Sequence, residues 1–125
     1  MEMKSISGYT CLAADIEKTA AFYDALGFRF GDQTADSLII YLNWFSVRFI
    51  AGSSLGDEFT DDATAEHKGA GIYINVKVED VDAFYKGVLK LGLKPSSEPR
   101  DWPWGNREFV LRDSDGYKLV FWAKR

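Results

Sequence analysis

One pattern occurs twice in this sequence at a constant offset of 65 residues, and it limits the chain to folds built from a duplicated unit. In the first copy Asp15 precedes Ile16, Ala20, Tyr23 and Leu26 at helical spacing, with Thr19 and Phe22 beside that stripe. Gly27 follows, and Phe28 opens an extended segment. In the second copy Asp80 precedes Val81, Phe84, Val88 and Leu91, Gly92 ends the pattern, and Leu93 is expected to start the next strand. Aspartate at a helix start accepts free backbone N–H groups and suits the positive end of the helix dipole. Glycine at the end takes a positive φ without a Cβ clash. Cap, stripe and stop recurring at one offset predict two equivalent helices.

Strand signals surround each helix in the same order. Residues 6–13 precede the first, while Phe28 to Gly31, Leu38 to Leu42 and Phe45 to Ala51 follow it. Asn43 and Trp44 can make the tight turn between the last two. Ile72 to Val78 precede the second helix, with Ile72, Ile74, Val76 and Val78 on one face and Tyr73, Asn75 and Lys77 on the other. After Leu93, Trp104 to Arg112 and Tyr117 to Ala123 form a hairpin around Asp113-Ser114-Asp115-Gly116. The expected fold is α+β: two βαβββ modules forming a curved, mostly antiparallel sheet around a cavity, with the helices outside. We expect one domain, 1–125, with modules 1–52 and 69–125. A polar acidic connection, 53–68, joins them. It carries Asp57, Glu58, Asp61, Asp62 and Glu66, and reads as a solvated linker or a flap over a pocket.

Composition narrows the function. Fifteen Lys and Arg against nineteen Asp and Glu leave a net charge of −4, which disfavours nucleic acid as a partner. That balance suits a cationic ligand slightly better than an anionic one. Cys11 is the only cysteine, so no intramolecular disulfide forms, and a buried thiol is expected there. The N-terminus lacks the long apolar stretch of a signal peptide, and no window is apolar enough to span a membrane. The expectation is a soluble cytoplasmic protein with no membrane partner.

Several stretches carry a resemblance. Asp15-Ile16-Glu17 with Phe22-Tyr23 and Leu26-Gly27-Phe28 is one, and Glu79-Asp80-Val81-Asp82 is another. The most specific runs from Trp104-Gly105-Asn106-Arg107-Glu108-Phe109 into Arg112-Asp113-Ser114-Asp115-Gly116-Tyr117. In these the chain resembles the vicinal oxygen chelate superfamily, which includes glyoxalase I, extradiol dioxygenases, fosfomycin-resistance proteins and bleomycin-resistance proteins. The last stretch is most similar to the bleomycin-resistance branch, with Ser114 where a proline is usual. Metal-dependent members carry a histidine in the first strand of each module and a glutamate in the final strand, a set that chelates a divalent ion with open positions. Counted from the caps and the final turn, those positions fall here at Gly8, Tyr73 and Val120. The resemblance therefore implies a member without the usual metal, and we expect no metal, no cofactor and no assigned catalytic residue. The single histidine, His67, sits in the polar connection, and a solvated role is expected for it.

What remains is a binding surface. Thr10, Tyr73, Asn75, Lys77, Val120 and Trp122 are placed on the face away from the helices, with Arg48 looking into the same space. Trp102, Pro103 and Trp104 form an aromatic lip, of which Trp104, nearer the strand, is expected to lean toward the core. The ligand-binding set is thus Arg48, Tyr73, Asn75, Lys77, Trp102, Trp104, Val120 and Trp122. By resemblance, a homodimer frames the groove. Three functions are open: metal-independent binding of a small molecule, such as sequestration of a bulky cationic or aromatic antibiotic; an isomerase, lyase or dioxygenase-like enzyme with a non-standard site; and a non-catalytic assembly or regulatory protein.

Overall fold

The computed structural model describes residues 1–66 and 68–125, so His67 lies outside the described residues. Two compact units, Met1–Glu66 and His67–Arg125, each hold one four-stranded sheet and one long helix. In the first, β1 (Tyr9–Ala13) and α1 (Ile16–Leu26) are followed by β2 (Arg29–Gln33), β3 (Ser37–Leu42) and β4 (Phe45–Ala51). The sheet order is β1-β4-β3-β2, with β1 parallel to β4 and the other pairs antiparallel. A short α2 (Thr60–Ala63) comes next in the chain. The second unit has β5 (Tyr73–Lys77), α3 (Val81–Lys90), β6 (Arg100–Asp101), β7 (Asn106–Arg112) and β8 (Lys118–Lys124). Its order, β5-β8-β7-β6, repeats the first with the same parallel and antiparallel pairs. The expected βαβββ repeat is present in both halves.

The repeat extends to individual hydrogen bonds. Asp15 Oδ1 accepts from the Glu17 and Lys18 N–H groups, and Asp80 Oδ1 accepts from Ala83 N–H at 3.0 Å. At the helix ends Gly27 N–H donates to Asp24 O and Phe28 N–H to Tyr23 O. Gly92 N–H donates to Leu89 O and Leu93 N–H to Val88 O, the same two bonds 65 residues later. Gly27 and Gly92 have φ of 92° and 80°, the left-handed geometry this helix stop demands.

Each helix covers one side of its own sheet. Tyr23 on α1 is fully buried against Phe49 and meets Phe28 edge-on at 5.2 Å. Phe84 on α3 lies 4.6 Å from Phe121 and 6.4 Å from Phe109. Leu91 departs from the expected stripe: it is the C-cap residue of α3 and is exposed.

One other segment differs from expectation. No regular strand follows Leu93, because Pro95 and Pro99 bring no N–H to the ladder. Ser96 N–H donates to Val110 O, and the Ser97 hydroxyl accepts from Val110 N–H at 3.0 Å, so side-chain bonding replaces part of the pairing. Pairing then resumes in the two residues of β6. The acidic segment after β4 carries short helical turns at Gly52–Ser54 and Asp57–Phe59 before α2. Cys11, on the helix side of β1, is half-buried rather than fully buried.

Candidate functional site

The site can be built row by row from β-ladder register, because residues directly opposite one another share a face. In the second unit Ile74 and Leu119, then Val76, Phe121 and Phe109, lie on the α3 side. The alternate positions must therefore point away from the helix. One row of that open face is Tyr73, Lys118 and Arg112; the next is Asn75, Val120 and Val110; the third is Lys77, Trp122, Glu108 and Arg100.

Five expected site residues thus come together: Tyr73, Asn75, Lys77, Val120 and Trp122. Tyr73 is 54% exposed, Trp122 is half-buried, and Val120 is buried in the middle row. Trp102 and Trp104 occupy the turn between β6 and β7, their rings stacked 4.7 Å apart at 12°. Trp104 does not lean into the core. It is 62% exposed, with its indole N–H donating to Glu108 Oε1 at 3.1 Å. Gly105, at φ 90°, turns the chain before β7 begins and leaves that ring outside the packed layer. Arg48 belongs to the first unit. It is exposed on β4 opposite Thr10 and Ile39, on the side of the sheet away from α1.

Sequence reasoning placed Lys77 on this face but missed Arg100, Arg112 and Lys118. Lys118 alternates with Val120 and Trp122, and Arg112 alternates with Val110 and Glu108, so period-two spacing alone could have placed them. Three of the four rings at the site are matched with the protein's own cations, Trp104 being the exception. Lys77 Nζ lies 5.4 Å from the Trp122 centroid, Lys118 Nζ 5.2 Å from Tyr73, and the Arg100 guanidinium 3.3 Å from Trp102.

The positions where the family's metal donors would stand do not fit a divalent ion. Gly8 has no side chain, Val120 has no donor atom, and the Tyr73 phenol is a poor ligand at neutral pH. Among the described residues no group of three His, Cys, Asp or Glu side chains is placed to hold one.

The helix side of the second unit carries different chemistry. Arg107 on β7 donates two bonds of 2.9 Å to the Asp82 carboxylate on α3 and one of 3.2 Å to Asp101. Arg125 adds a longer contact to Asp101 at 3.8 Å. These charges border an open groove of about 470 Å³ lined by Glu79, Asp80, Asp82 and Lys124 among others. The Arg107 hydrogen bonds hold the Asp82 carboxyl below its ordinary range, and both carboxylates raise the Arg107 pKa. A carboxyl whose folded pKa is depressed stabilises the fold above its unfolded pKa, and that contribution is lost as pH falls through the folded value. Asp82→Asn is therefore expected to melt below the parent at neutral pH, with the gap closing as acid protonates Asp82. Melting curves from neutral to strongly acid pH check this, and a pH-independent gap would refute it. The effect is small, because both partners reach solvent.

Each unit is a βαβββ module with its helix on one side of the sheet and the other side left uncovered by that helix. The sequence pattern of the Glyoxalase/Bleomycin resistance protein/Dioxygenase superfamily matches residues 6–121, and the chain belongs to that superfamily. Its fold is similar to hypothetical protein SA1046 from S. aureus, at 22% identity and a TM-score of 0.81, covering 98% of this chain and 95% of that one. It is similar to a glyoxalase/bleomycin resistance protein/dioxygenase from Nocardioides, at 17% identity and 0.78, covering 99% and 86%. It is also similar to a bleomycin-binding protein complexed with bleomycin, at 21% identity and 0.66, covering 98% and 100%. No curated protein matches the sequence. No helix among the described residues is long and apolar enough to cross a membrane.

Proposed function

We propose that this chain binds a planar aromatic small molecule without a divalent metal and without bond-breaking chemistry. The observation that carries this reading is one face of one sheet. Its positions homologous to metal donors hold Tyr73 and Val120, while Tyr73, Trp122 and the stacked Trp102–Trp104 pair offer ring surface there. Indole and phenol rings give large contact area at small entropic cost. Asn75 adds a side chain that both donates and accepts hydrogen bonds.

Sequestration is the form of binding the bleomycin-binding neighbour supports, and it requires only affinity and a closed groove. A homodimer would supply that closure. Exposed rings at Tyr9, Trp44 and Phe45, with Tyr9 and Phe45 6.2 Å apart, give apolar surface for a second copy.

Calorimetric titration with metal-free bleomycin and with simple naphthalene derivatives tests the reading, alongside elemental analysis of protein purified without chelators. We expect saturable binding of at least one aromatic ligand, unchanged after dialysis against EDTA. Stoichiometric zinc, nickel, iron or manganese, with binding lost on EDTA treatment, would overturn it.

A further inference from the structure

We infer that the open face of the second sheet selects an anionic aromatic ligand, such as an aromatic carboxylate, over a cationic one. This rests on the ligand-binding reading above and adds the charge of the ligand. The sequence's net charge of −4 points the other way, but that charge is unevenly placed. Among the described residues the strands hold eight of the fifteen Lys and Arg residues and only three of the nineteen Asp and Glu residues. Register sets Lys77, Arg100, Arg112 and Lys118 on the open face, with Glu108 as the acid among them. Glu108 is already engaged by the Trp104 indole at 3.1 Å and faces the Asn106 amide at 3.5 Å. The remaining acidic partner on this sheet, Asp101, bonds Arg107 on the helix side.

A cationic ligand has two ways to bind such a face, and both are taken except at the Trp104 ring in the turn before β7. Its natural partners are ring faces, but Trp122, Tyr73 and Trp102 each already carry a side-chain cation. Its other partner would be a free carboxylate, and Glu108 is engaged. It would also meet two ammonium groups and two guanidinium groups of like sign. An anion meets the opposite situation. Lys77 and Lys118 stand on rows flanking Val120, so a carboxylate over the middle row could accept from either ammonium or from the Asn75 amide. The ligand's ring would then lie over the apolar Val110–Val120 row or against the exposed Trp104 ring.

Two probes with the same ring and opposite charge, 2-naphthoate and 2-naphthylmethylammonium, separate the possibilities by calorimetry on the full chain. At low salt 2-naphthoate is expected to bind about tenfold tighter, with the advantage shrinking as salt screens the lysines. Lys77→Gln combined with Lys118→Gln should remove that advantage, whereas Lys90→Gln, exposed on α3 on the other side of this sheet, should keep it. Equal or tighter binding of the ammonium probe would overturn the charge assignment while leaving the ligand-binding reading intact. Binding of neither probe would overturn the charge assignment, and binding of neither probe nor bleomycin would overturn the ligand-binding reading as well. Tighter binding of a single-stranded oligothymidylate than of 2-naphthoate would also overturn it, making the face a nucleic-acid surface.

Discussion

Phe121→Ala is expected to cost about 4 kcal/mol of folding stability, the upper part of the range for emptying a packed aromatic site. The Phe121 side chain is fully buried and central to the second core, 4.6 Å from Phe84 and 5.2 Å from Phe109. Val76 and Phe109 flank it in the ladder, so no loop is available to collapse into the space. Small domains have only about 5–15 kcal/mol in total, so the loss would consume a large share. The midpoint of urea unfolding measures it, and a loss below about 1 kcal/mol would contradict this packing. Phe121→Leu keeps most of the volume and should cost about 1–1.5 kcal/mol. The site should feel the larger change too, since Val120 and Trp122 project from the same strand to the other face.

The helices were legible in the sequence because their ends are written in local chemistry. Asp15, Gly27, Asp80 and Gly92 form their cap and stop bonds with residues at most a few positions away, so spacing alone reveals them. The strand expected after Leu93 failed for an equally local reason, because Pro95 and Pro99 lie in it. Trp104 was different. Whether a ring beside a strand packs inward depends on the turn at Gly105 and on a bond to Glu108, neither of which is visible from hydrophobicity.

For the candidate site, alternation correctly grouped Tyr73, Asn75 and Lys77, and likewise Val120 and Trp122. Their registration into rows was not legible, because which residue of β8 faces which residue of β5 is set by pairing rather than spacing. The charge of the face was missed for a related reason. Net charge sums over the whole chain, whereas ligand selection depends on a few groups within about one Debye length, roughly 8 Å at physiological salt.

Gly69→Ala should be the most damaging small substitution in the second unit, costing about 3 kcal/mol. Gly69 has φ +75°, a geometry that costs an L-residue about 1–2 kcal/mol. A Cβ there would also run into the Tyr117 ring, and overpacking of that kind adds about 1–3 kcal/mol. The ring has little freedom to retreat. Tyr117 N–H donates to Asp113 Oδ1 at 3.0 Å, and Tyr117 O accepts from Asp113 N–H at 2.9 Å. Gly71 provides the control two residues on. Its φ is +83°, but a Cβ there meets nothing within 4 Å, so Gly71→Ala should cost only the backbone part, about 1–2 kcal/mol. The difference between the two variants, read from urea unfolding, isolates the clash with Tyr117. Function should follow the same order. The Gly69 carbonyl accepts from Ile72 N–H at 3.0 Å, closing the turn that delivers Tyr73 to β5. Displacing Gly69 should therefore disturb the Tyr73–Lys118 pair and weaken 2-naphthoate binding, whereas Gly71→Ala should bind it more nearly like the parent. Equal losses of stability in the two variants would show that Tyr117 does not constrain this turn.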